Sequence, residues 1–192
     1  MEEWLGRLMA QMGFAPLGGG APVAGGWVDS TMASPFMQDS VMRMLGVRPE
    51  VVMSPALAQQ PHAIGWVHQA APNRIYLRND AEEWSQPTLD ATLAHEATHV
   101  AQFGGTIPQA LVDVMALAGV DMDPRADPEP AAYLLSDALQ ELRGQPALRA
   151  NRPGFSSLDP EARVAILDVL GRLLAGPAKT GGMGTMGLSA AQ

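Results

Sequence analysis

Apolar residues recur every three to four positions along most of this chain, and alternate with polar ones only briefly near its middle. Residues 2–13 set Trp4, Leu5, Leu8, Met9 and Met12 against Glu2, Glu3, Arg7 and Gln11, which predicts a short amphipathic helix stopped by Gly13. Residues 15–26 (APLGGGAPVAGG) have no period and read as a flexible linker. A second, Met-rich helix is predicted over 35–46, with Phe36, Met37, Val41, Met42 and Leu45 on its apolar side, and core packing is its better use. Residues 50–54 read as a short strand. Two further β-like runs, 63–68 and 74–78, are joined by a turn over 69–73 and predict a hairpin.

Helices dominate the second half of the chain. Ser85, Pro87 and Gly104-Gly105 bracket one whose stripe is Leu89, Leu93, Ala97, Val100 and Ala101. Another spans 107–118 and ends at Gly119, and residues 120–126 form a polar loop. Asp127 then caps a helix with Pro128 and Glu129 in its first turn, running through Ala132, Leu135, Leu139 and Leu142 to Gly144. Residues 145–157 form a loop rich in Pro, Asn and Ser. Asp159-Pro160 starts the last helix, 160–175, with a stripe of Val164, Leu167, Leu170 and Leu174. The tail 176–192 carries no pattern and reads as flexible. The expectation is an α+β fold, mostly helical, in three parts: 1–26 as helix and linker, 27–175 as the folded domain, 176–192 as tail.

One stretch adds chemistry. Leu93-Ala94-His95-Glu96-Ala97-Thr98-His99-Val100-Ala101-Gln102 contains H-E-x-x-H and two of the chain's four histidines. Residues i and i+4 share a helix face, so His95 and His99 can direct both imidazoles at one ion. Glu96 is placed to meet a water beside that ion and act as general base. The chain has no cysteine, so a metal must rest on imidazole and carboxylate ligands. A catalytic zinc takes three protein ligands as a rule. The downstream carboxylates are Asp113, Asp121, Asp123, Asp127, Glu129, Asp137 and Glu141. Glu129 is preferred: it stands on a helix rather than in a loop, and Asp127 is better used as that helix's cap. Tyr133, one turn further, is a candidate donor to the developing oxyanion, and Asp137 a candidate to orient His95 or His99. His68 more often serves structure than a site from a strand, and His62 has no assigned role.

Composition narrows the partners. The 192 residues carry a net charge of −8, and charged residues make up 17%. That balance argues against nucleic acid, whose binders concentrate positive charge. The sequence starts Met1-Glu2-Glu3, acidic where a secretory signal would be basic, and no apolar run reaches the length of a membrane span. A soluble protein is expected, without signal peptide and without membrane contact.

HEATHVAQ followed by Glu129-Pro130-Ala131-Ala132-Tyr133 resembles the gluzincin pattern, H-E-x-x-H and then E-x-x-A with an aromatic residue. More narrowly, residues 63–102, a hairpin leading into LAHEATHVAQ, resemble predicted metallopeptidases that carry HELTHVVQ. That family is found beside toxins of contractile injection systems and in phage-like clusters. The resemblance covers roughly residues 50–142. It implies a zincin-like fold, His95, His99 and Glu129 as zinc ligands, Glu96 as base, and a cytoplasmic protein or one carried in a phage-like particle. Ala97 stands where the family has leucine, Gln102 where it often has two glutamines, and Pro130 directly follows the implied ligand.

Two functions are compatible with these features. The first is a zinc-dependent peptidase acting on a peptide or protein substrate, which an extended chain would reach along the sheet edge. The second is a structural or assembly protein, such as a component of a phage-like particle, that keeps the fold with a vestigial or stabilising metal site. Residues 1–13 and 177–192 would then contact the assembly's other proteins.

Overall fold

The computed structural model describes residues 32–59, 63–145 and 154–176. The first predicted helix, its linker, His62, much of the 145–157 loop and the tail beyond Gly176 lie outside them. The fold is mixed α+β, with helices around a small three-stranded sheet.

The Met-rich segment is helical but widens into a π-helical stretch, Met37–Met42, before α1 (Arg43–Leu45). Its methionines are core: Met37, Met42 and Met44 are buried with Val41 and Leu45, while Phe36 is half-buried. Gly46 closes the segment at φ 69°, a conformation that suits glycine.

Three strands follow: β1 (Glu50–Ser54), β2 (Gly65–His68) and β3 (Ala71–Arg78). The sheet order is β1-β3-β2, with β1 parallel and β2 antiparallel to the central β3. The hairpin turn is tighter than the expected 69–73, because β3 already begins at Ala71. Pro72 is tolerated inside β3 because pairing with β1 starts only at Arg74, so its missing N–H costs no bond on that side. Val67, Ile75 and Leu77 are buried.

The centre of the molecule is α2 (Gln86–Gly104). Ser85 caps it, its Oγ accepting from the Thr88 amide at 3.4 Å, and Gly105 ends it at φ 67°. Every residue from Leu89 to Gln102 is buried, so the helix is enclosed well beyond its apolar stripe. The sheet and α4 (Glu129–Leu142) pack against it, and α3 (Gln109–Leu117) packs on α5 (Pro160–Ala175). Thr106 Oγ1 donates to the Leu45 carbonyl at 2.8 Å, fastening the end of α2 to α1.

A buried acid locks these elements. Asp90 on α2 is fully buried and accepts from Ser34 Oγ at 2.7 Å, Gln86 Nε2 at 2.9 Å and Arg143 Nη1 at 2.5 Å. Arg143 also lies over the Phe36 ring at 4.7 Å. The start of the described chain, α2 and the end of α4 therefore meet at one carboxylate.

The last helix starts where expected, Asp159 Oδ1 accepting from the Glu161 amide at 2.8 Å. Its buried stripe matches only in part, at Leu170, with Leu167 and Leu174 partly buried. Ile166 and Leu170 are the fully buried positions and Val164 is 67% exposed. Apolar residues fill 164–167, 169–170 and 173–174, so several faces were open, and packing on α3 selects the one centred on Ile166.

Candidate metal centre

Mid-way along α2, His95 and His99 stand one turn apart, both buried, with ring centroids 4.7 Å from each other. Their Nε2 atoms face one another at 3.1 Å. Glu129, in the first turn of α4, closes the group: its Oε2 lies 3.5 Å from His95 Nε2 and its Oε1 3.3 Å from His99 Nε2. The Glu129 side chain is 48% exposed, so the group is open to solvent on that side. Asp127 Oδ1 accepts from the Glu129 amide at 3.2 Å, but the N-cap of α4 is Pro128 rather than the expected Asp127. Pro130 falls in that first turn, where a proline costs no helical bond, and Glu129 still reaches both histidines.

These three residues are a group that could hold a metal ion, with one ligand atom from each lying within 4.8 Å of the others. Donors around a tetrahedral ion with bonds of about 2.0–2.1 Å stand about 3.3 Å apart. The two Nε2 atoms, 3.1 Å apart, stand near that edge, and each meets a different oxygen of the Glu129 carboxylate, at 3.5 Å from His95 and 3.3 Å from His99. Without an ion the same geometry needs protons. Burial opposes charge on His99, but the Glu129 carboxylate bonded to it, with Glu96 and Gln102 nearby, raises its pKa on balance. The bonds to His95 and His99 hold Glu129 far below the usual carboxylate range. A cation would displace the protons from between these donors.

Glu96 lies beside this group on the same helix. It is buried, and its Oε2 has no hydrogen-bond partner among the described residues. Burial pushes its pKa up to about 8, with the His99 charge opposing and Glu129 adding to the rise. The edge strand β2 runs over it: a Cβ built on Gly65 would sit 2.6 Å from Glu96 Oε1 and 2.8 Å from its Cγ. Glu96 therefore also packs under the sheet, a contact that its place in the motif does not reveal.

Tyr133, one turn along α4 from Glu129, rests on the His95 ring with centroids 4.3 Å apart, and Phe103 stacks on His99 at 5.9 Å. Asp137 is buried a further turn along α4. For His99, however, the orienting contact comes from Gln102, whose Oε1 lies 2.9 Å from Nδ1. A glutamine three residues on, one turn along the same face, was the available signal. His68 is not part of the group. Its Nδ1 accepts from the Ala70 amide at 3.0 Å in the hairpin turn, and its ring meets Trp66 edge-on at 5.3 Å. Asp121, Asp123 and Asp127 are likewise occupied with backbone amides of their own loop.

Among the described residues no helix is long and apolar enough to cross a membrane. Comparison with protein-family models, with curated proteins and with solved structures finds no match.

Proposed function

We propose that this protein is a zinc-dependent peptidase of gluzincin type with a zincin-like fold, His95, His99 and Glu129 holding the ion and Glu96 serving as general base. The observation that carries the reading is the meeting of two imidazole nitrogens 3.1 Å apart with the Glu129 carboxylate, one oxygen within 3.5 Å of each, beside a buried Glu96 whose Oε2 has no partner among the described residues. Two imidazoles and one carboxylate are a donor set of hydrolytic zinc sites.

Zinc bound there supplies Lewis acidity, making water a stronger acid and a peptide carbonyl a better electrophile. Everything else falls to side chains of this chain. Glu96 accepts a proton from water and returns it to the departing amine. Its elevated affinity for a proton suits that shuttling, and a divalent charge alongside would bring the affinity down toward neutrality. Tyr133, resting on the His95 ring, serves in this reading as the donor to a developing oxyanion. The outer edge of β2, to which no strand pairs among the described residues, suits an extended peptide laid against it by backbone pairing.

The test is metal content with ligand variants. The expected result is about one zinc per chain, bound with at least 10–100-fold lower affinity in His99→Ala and Glu129→Ala, the loss found even when outer contacts of a site are removed. Wild-type stoichiometry and affinity in His99→Ala would refute the site. Unchanged affinity in Glu129→Ala alone would move the third position to another acid.

A further inference from the structure

We infer that Gln102 is a positioning residue of this centre: its amide fixes which nitrogen of His99 carries the proton and ties that ring to the start of the helix bearing Glu129. The consequence for metal binding rests on the proposed zinc site; the proton assignment does not.

Gln102 is buried in the last turn of α2 and makes two bonds. Its Nε2 donates to the Pro128 carbonyl at 3.3 Å, and its Oε1 faces His99 Nδ1 at 2.9 Å. A peptide carbonyl only accepts, so the NH2 end of the amide has to face Pro128. That leaves the oxygen, which has no proton, toward the imidazole. Bonding to that oxygen places the proton of a neutral His99 ring on Nδ1, donating to Gln102, in competition with the Glu129 carboxylate 3.3 Å from Nε2. The lone pair is left on Nε2, the atom that faces His95 and Glu129.

The second bond adds distance control. Pro128 immediately precedes Glu129, so one buried amide spans from the ring of one ligand to the backbone beside another. Across α2 and α4, which no covalent link joins at this point, it holds two donors in register. The plain alternative is a glutamine that merely fills space and satisfies itself. A leucine of similar volume would serve that purpose equally, and this separates the two.

Two variants and one spectrum decide it. Gln102→Leu keeps the volume and removes both bonds. Gln102→Glu keeps an acceptor for Nδ1 but has no N–H for Pro128. Nitrogen-15 spectra of the zinc-free full chain, at a pH where the rings are neutral, should show His99 protonated on Nδ1 in wild type and in Gln102→Glu, and a mixture of both forms in Gln102→Leu. Competition with a chromogenic chelator should show zinc affinity about 10–100-fold weaker in Gln102→Leu, with most of that recovered in Gln102→Glu. A wild-type His99 protonated on Nε2 overturns the inference, as does unchanged zinc affinity in Gln102→Leu. If Gln102→Leu fails to fold, the wild-type spectrum alone still decides. A wild type that takes up no zinc while showing the Nδ1 proton would remove the metal reading and leave the assignment of Gln102 supported.

Discussion

Gly65 and Glu96 share a space that has no room for one more carbon. A Cβ at Gly65 would sit 2.6 Å from the Glu96 carboxylate, so Gly65→Ala must push either the edge strand or the base aside. The atoms that this Cβ would meet first are all of Glu96, none of the three proposed ligands. Zinc affinity is therefore expected to hold in Gly65→Ala while turnover falls on the order of 100-fold, the scale of a misplacement of about 1 Å. Parallel zinc titration and turnover measurements check this, and full activity in Gly65→Ala would contradict it. Glu96 makes a second prediction, for the zinc-free protein. In the unfolded chain its carboxyl ionises near 4.5, whereas in the fold it keeps its proton to about 8. The folded state thus binds the extra proton, and this contribution to stability, complete below pH 4.5, is lost as pH rises to about 8. Gln has no such proton. Melting temperatures of zinc-free Glu96→Gln should accordingly gain on wild type from pH 5 to pH 8, and a gap constant across that range would show that Glu96 is not held neutral. The raised pKa of His99 acts in the same direction, and the part of it that Glu96 causes is lost with Glu96→Gln, which widens the same difference.

Among the elements, α2 decides the architecture, and its ends were legible because caps are local chemistry. Ser85, Pro87 and Gly105 act within a few residues of themselves, and so do Asp159 and Pro160 at the last helix. The sheet order and the buried face of α5 were not legible in the same way. Val164 is as apolar as Ile166, and only the helix packed alongside decides which is covered. The centre divides similarly. His95, Glu96 and His99 are one turn of one helix, readable from spacing alone, and Glu129 stands out among seven acids because it begins a helix. Gly65 and the Pro128 end of the Gln102 bond belong to other segments, and no local pattern ties them to the motif. Asp90 escapes a sequence reading for the same reason: its partners Ser34 and Arg143 are 56 and 53 residues away. Asp90→Ala strips a buried pair of one charge and should destabilise the protein by about 3–5 kcal/mol in denaturant titration. A loss under about 1 kcal/mol would show that the lock does not hold these elements together.

For the whole molecule, the metal and the fold are coupled if the centre is what its geometry indicates. Its donors come from α2 and α4, the two helices at the heart of the structure, so an ion there must stabilise the folded state over the unfolded chain. Free zinc at a hundred times its dissociation constant should add about 2.7 kcal/mol, and a chelator should remove it. The Met-rich segment offers the assembly reading no docking surface, because Met37, Met42 and Met44 are core, as expected. Activity separates the two functions most directly. The decisive measurement is the rate at which zinc-loaded wild type and Glu96→Gln, purified in parallel, cleave an unfolded protein substrate. The peptidase account predicts cleavage by wild type and a loss of about 10²–10⁴-fold in Glu96→Gln, with the zinc content of the two proteins equal. Equal cleavage by both proteins, or none by zinc-loaded wild type, would contradict it.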